Sequence, residues 1–145
     1  MSTTSDIADH VANHINSLAL GVKASRENTW IEYRESDSAL HVIVVPVESS
    51  IDSETRGGFR REVRLIVVIQ QKLAGMGSDK QRRDREDVLI TLSERIEESL
   101  YGKQMGESSF WDLDAAGPRV LLDSANFAES GIFRTQIELV YVGDI

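Results

Sequence analysis

Two histidines four residues apart, His10 and His14, are the first residues whose spacing suggests chemistry. On a helix, positions i and i+4 share a face, and two imidazoles so placed suit a transition metal. A third ligand is wanted, and only Asp6 stands nearby. The apolar residues of the segment run along the opposite stripe, so two exposed histidines are the plainer account and no metal is assigned. His41 heads an apolar run alone. Glu94, Glu97 and Glu98 crowd one helical segment in the pattern of a solvated outer face. Asp112 and Asp114 flank Leu113, and Asp-x-Asp can take a cation, yet the rest of a calcium loop does not follow. Gly57-Gly58 and Gly75-Met76-Gly77 are not phosphate loops, since no Lys-Ser/Thr pair opens a helix after them. There is no G-x-S-x-G. With Cys 0, disulfides, thiolate zinc sites and a cysteine nucleophile are excluded. Trp30 and Trp111 read as core or interface anchors, not base-stacking platforms, given the acidic balance. No catalytic residue, cofactor-binding residue or metal ligand emerges, and the expectation is a protein that is not an enzyme.

The charge balance bears on partners. Lys+Arg 16 against Asp+Glu 24 leaves a net charge of −8 on 145 residues. A nucleic-acid binder usually gathers its basic residues into a patch. Here Arg60, Arg61 and Arg64 have Glu62 among them, and Arg82, Arg83 and Arg85 have Asp84, Glu86 and Asp87. That mixture reads as a self-paired, solvated surface. The length fits one domain over residues 1–145, with enough chain to bury a core unaided. No apolar run is long enough for a transmembrane helix, and MSTTSDIADH is too acidic and polar for a signal peptide.

The elements that must position any site follow from periodicity. Ile7, Ala8, Val11, Ala12, Ile15, Leu18 and Ala19 recur at helical spacing, so a helix is predicted over about 5–20, capped by Thr3, Thr4 or Ser5 and ended by Gly21. TWIEYR (29–34) and LHVIVVPV (40–47) are strand candidates, with Pro46 marking an end or an edge. ESSIDSETRGG (48–58) reads as a polar loop. FRREVRLIVVIQQ (59–71) starts with alternation and then runs apolar from Leu65 to Ile69, a strand with one wet half and one half buried on both faces. At ~3.3 Å per residue it spans roughly 43 Å, as long as or longer than a domain of this size is wide. Ser78 and Gln81 form a capping-box pair opening a helix to about Tyr101, with Val88, Leu89, Leu92, Ile96 and Leu100 as its apolar stripe and Gly102 as its stop. Its outer face offers Arg82–Glu86 and Arg83–Asp87 pairs. Residues 103–118 read as a loop anchored by Phe110 and Trp111, and 119–127 and 132–142 as a final pair of strands. In the last strand Phe133, Ile137, Leu139 and Tyr141 share one face, and Arg134, Gln136 and Glu138 the other.

Strands joined by loops favour antiparallel pairing. The fold class expected is α+β: an antiparallel or mixed sheet of about four main strands with two helices packed on it. Two helices cover one face of such a sheet. The second face of 65–69 and of 42–45 then calls for cover from a neighbouring subunit.

This order of elements resembles the tail terminator, or tail-completion, proteins of tailed bacteriophages and their neighbours in the neck. The resembling segments are I-A-D-H-V-A-N-H-I-N-S-L, L-H-V-I-V-V-P-V, R-R-E-V-R-L-I-V-V-I-Q-Q-K, D-R-E-D-V-L-I-T-L-S-E-R-I-E-E-S-L and F-R-T-Q-I-E-L-V-Y-V. The resemblance implies a structural virion protein of the tail or neck, made in the host cytoplasm. It implies a ring, usually of six copies, whose partners are its own copies, the tail tube protein and the head–tail connector or stopper protein. DNA would only pass through the lumen, and no membrane or cofactor is involved. Six chains would carry 6 × −8 = −48 charges, and an acidic lumen repels phosphates. The candidate interface is the Arg64, Ile66, Val68 and Gln70 face of the long strand, with Glu48, Asp52 and Glu54 of the polar loop. The alternatives are a stopper or head-completion protein, a small intracellular α+β enzyme or binding domain, and an acidic partner for a basic protein.

Overall fold

The computed structural model describes residues 3–28, 39–53, 59–75, 77–101, 103, 105, 111–112, 119–122 and 131–144. The order is α1 (Thr3–Ser17), β1 (Ala24–Arg26), β2 (His41–Ser53), β3 (Phe59–Lys72), α2 (Asp79–Leu100), β4 (Trp111–Asp112), β5 (Arg119–Leu122) and β6 (Ile132–Asp144). The strands form one sheet in the order β1-β2-β3-β6-β4, with β5 also on β6. All pairs are antiparallel except β1 with β2. The α+β class is as expected, and the sheet is mixed.

Alternation divides the sheet into two faces. Val42 and Val44 of β2, Val63, Leu65, Val67 and Ile69 of β3, and Phe133, Ile137, Leu139 and Tyr141 of β6 join the apolar stripes of both helices in the main core. On the other face Ile43, Val45 and Val68 form a second cluster with Ile66 packed against it. Val68 is 0% exposed and Ile43 2% in the single chain. The second face is thus covered without a neighbour, contrary to the sequence expectation.

Three boundaries moved for identifiable reasons. The segment 48–53 is strand, not loop: β2 continues past Pro46 through a bulge and pairs Glu48 with Arg64 and Ser49 with Val63. Proline cannot donate a ladder bond, so the irregularity falls where the ladder is weakest. In an unbroken ladder Val47 would oppose Arg64, and Glu48 would oppose the fully buried Val63 and face the core; bulging Val47 out turns the acid outward. β1 has no sequence signal of its own. The Asn16 carboxamide holds its outer edge, donating to the Ala24 carbonyl at 3.0 Å and accepting from the Ala24 N–H at 2.7 Å. The helix α1 ends at Ser17, earlier than expected, and Ala19 takes the left-handed conformation at φ 54. The strand expected at 29–34 and the anchor Phe110 lie outside the described residues, as do Trp30, Gly102 and 123–130. Trp111 belongs to β4, paired with Val142.

The second helix runs as its sequence dictates. The Ser78 hydroxyl accepts from the Gln81 N–H at 3.2 Å and the Gln81 side chain accepts from the Ser78 N–H at 3.1 Å. Its buried stripe is Leu89, Ser93, Ile96 and Leu100, while Val88 is 52% exposed. Ser93 replaces an apolar residue because its hydroxyl bonds the Leu89 carbonyl and the Thr135 hydroxyl of β6. That pair fixes helix to sheet inside the core, where an unmet hydroxyl would be costly.

Candidate assembly surface

The distal half of the β2–β3 hairpin gathers the residues that sequence singled out. Glu48 and Arg64 are directly opposed on one face of the ladder. The Arg64 guanidinium lies 3.0 Å from a Glu62 carboxylate oxygen and 4.0 Å from Glu48. All three side chains are substantially exposed, so these pairs add little stability and stay available to a partner. On the opposite face Arg61 donates to the Ser49 hydroxyl at 2.7 Å. Ile66 is half-buried beside the second cluster.

Two of the expected contact residues are buried within the single chain. Val68 is fully buried, and Gln70 is 1% exposed, accepting from the Arg134 Nε at 3.0 Å. Arg134 itself is 4% exposed. A guanidinium there requires acceptors, and the Gln70 carbonyl oxygen is one of them. Asp52 sits in β2 opposite Arg60, and Glu54 lies outside the described residues. Arg64, Ile66 and Glu48 therefore lie along the outer part of the hairpin, Asp52 follows further along the same strand, and Val68 and Gln70 are buried in the single chain.

Sequence reasoning missed Val47 and Ile51, which are 58% and 57% exposed on the same hairpin. Ile51 is a lone apolar residue in a polar run, a pattern that reads as loop unless the pairing with β3 is known, and Val47 is the last residue of the apolar run 40–47. Leu121 and Leu122 of β5 add apolar surface elsewhere. A groove of about 570 Å³ lies between the turn after α1 and the first half of α2.

The histidine pair is not a matched exposed pair. His10 is exposed, but His14 is half-buried and its Nε2 lies 3.2 Å from the Ser99 hydroxyl of α2. Burial holds the His14 pKa below the ordinary value, aided by the Lys103 charge and opposed by its contact with Ser99. Among the described residues no group of three or more His, Asp or Glu could hold a metal. Glu97, expected on the outer face, accepts from the Val120 N–H at 3.2 Å and ties α2 to β5. No described helix is long and apolar enough to cross a membrane.

The fold has a solved counterpart. A chain from the "Virion of native gene transfer agent (GTA) particle" matches with a TM-score of 0.55 at 11% sequence identity, over 99% of this chain and 96% of that one. At that identity the likeness is one of fold. No protein-family model matches the sequence, and no curated protein does.

Proposed function

We propose that this chain is a structural protein of a phage-like virion, and within it a tail terminator. In this reading six copies form a ring that caps the tail tube and joins it to the head-side connector or stopper, with DNA passing through the lumen. The observation that carries the reading is the likeness in fold to a chain of a gene transfer agent virion, which spans both chains almost end to end. The resemblance of the order and patterning of its elements to tail terminator proteins points the same way. No chemical step is assigned to any residue. The distal β2–β3 hairpin, with Arg64, Ile66, Glu48, Asp52 and Glu54, is its contact surface.

Size-exclusion chromatography with light scattering, followed by negative-stain microscopy, tests the reading. Six chains of 16.2 kDa give about 97 kDa and a ring with an open centre. A closed two-fold dimer at all concentrations overturns it, because a self-complementary interface cannot build a ring.

A further inference from the structure

We infer that neighbouring copies join edge to edge into one continuous sheet, the outer part of β2 in one copy pairing antiparallel with β5 of the next. The inference rests on the ring reading and specifies its contact. β1 covers the edge of β2 only at Val42–Val44, and among the described residues no strand runs beside it from Val47 to Ser53. The Glu27 N–H donates to the Val44 carbonyl at 3.0 Å, so Val44 turns its backbone groups away from β3. Alternate residues do the same, and with Val47 bulged the next on that edge are Ser49 and Ile51. At the other end of the sheet the Val120 N–H points away from β6 and donates to the Glu97 carboxylate at 3.2 Å. Val120 and Leu122 are therefore the residues of β5 that offer backbone groups outward. Glu97 holds the place of a strand acceptor there, as a managed edge requires, and the carbonyl of a neighbour's Ile51 takes it over.

Strand direction, face and register agree on this partner. Through β2, β3, β6 and β5 the strands alternate in direction, so a copy in the same orientation sets its β2 antiparallel to β5. Val120 and Leu122 lie on the core side, in the rows of Ile137 and Thr135, and Ser49 lies on that side in the row of Val63, with Ile51 two residues on. Opposed residues share a face, so the four residues of β5 fit Ser49–Ser53 in one register: Leu122 opposite Ser49, Leu121 opposite Ser50 and Val120 opposite Ile51. The exposed Ile51 and the exposed Leu122 then meet on one side of the sheet. Leu122 shares a row with Val42 through Thr135 and Ile69, and Ser49 stands six rungs beyond Val42. Each copy is thus staggered by about 20 Å over four strands that span about 19 Å, a strand tilt of about 45°, at the upper end of what closed sheets adopt. Closure of a sheet requires such a stagger, and two different edges meeting head to tail make the heterologous contact that closes rings.

The absence of cysteine gives a clean test. Leu121→Cys and Ser50→Cys are made in separate chains of different tagged mass, mixed, assembled and oxidised. As a non-hydrogen-bonded pair their Cα atoms stand about 4.5 Å apart, within reach of a disulfide. The mixed disulfide is expected at least tenfold in excess of either homodimer, and of the Leu122→Cys with Ser50→Cys control, whose side chains point to opposite faces. Ile51→Pro removes an N–H that points away from β3, so the ladder within the chain stays intact, and thermal unfolding verifies this. It is expected to abolish the assembly seen by light scattering; if it does not fold, the disulfide pair alone decides. A ring without the mixed disulfide, or one that survives Ile51→Pro, overturns the inference and leaves the ring reading standing. A Ser50→Cys homodimer in excess overturns it too, since two β2 edges then pair with each other. The mixed disulfide in open chains that never close supports the contact and counts against the ring. A monomer without the disulfide overturns the inference.

Discussion

His14 shows how a surface-looking residue becomes structural. It bridges the two helices through Ser99, and the folded state disfavours its charged form. The unfolded chain therefore binds more protons below the ordinary value of 6.5. Stability is complete above that pH and declines as pH falls through it toward the lower folded value. Unfolding midpoints taken between about pH 7.5 and pH 5.5 should fall for the parent and flatten in His14→Gln; parallel profiles would show that His14 does not titrate in the fold. Gly131 is constrained differently. Its φ is +71, and an added Cβ would stand 2.4 Å from the Ala74 Cβ. The Gly131 carbonyl also accepts from Leu73 and Ala74 at 2.9 and 3.1 Å, which holds the backbone in place. Gly131→Ala is expected to cost about 1–3 kcal/mol in denaturant unfolding, since neither strain nor crowding can relax cheaply.

At the scale of elements, the β2–β3 hairpin is the unit whose nature changed most. Read as a loop, 49–55 could be removed at small cost, because closure entropy varies slowly with length. Read as strand, Ser49 to Ser53 are rungs opposite Val63 to Phe59, and their loss uncovers the edge of β3 beside a fully buried Val63. Deleting Ser49–Thr55 should therefore lower the thermal midpoint by several degrees while leaving helical circular dichroism in place. An unchanged midpoint would return the segment to the status of a connector. The 14 residues of β3 extend over roughly 46 Å, and one half is buried on both faces. The other half keeps only one face in the core, which is what leaves an exposed hairpin to meet a partner.

For the whole molecule the decisive matter is which apolar surface is internal. The cluster of Ile43, Val45 and Val68 is closed within one chain. Val68→Asp should consequently act on folding and not on assembly, with a loss of several kcal/mol from an unpaired buried charge. Soluble, folded monomers of Val68→Asp would mean that this face is opened by assembly after all. Among the described residues, the large apolar side chains left exposed are instead Val47, Ile51, Val88, Tyr101, Leu121 and Leu122, spread over separate surfaces. That distribution suits contacts with more than one neighbour.

The sequence by itself determined the α+β class, the capping box and length of α2, the long central strand, and the inward face of β6 through Phe133, Ile137, Leu139 and Tyr141. Each of these rests on local chemistry: a cap three residues from its partner, a period of two, or a period of 3.6. What only the tertiary structure decided rests on partners distant in sequence. β1 exists because Asn16 and β2 hold it. Residues 48–53 are strand because β3 stands opposite, and the bulge at Val47 keeps Glu48 out of the core. Ser93 is buried because Thr135 meets it, 42 residues away. Of the interface residues picked from the sequence, Arg64, Ile66 and Glu48 are within a partner's reach, while Val68 and Gln70 are interior. An apolar or polar residue on a two-faced strand does not carry in its own sequence which face the rest of the chain will cover.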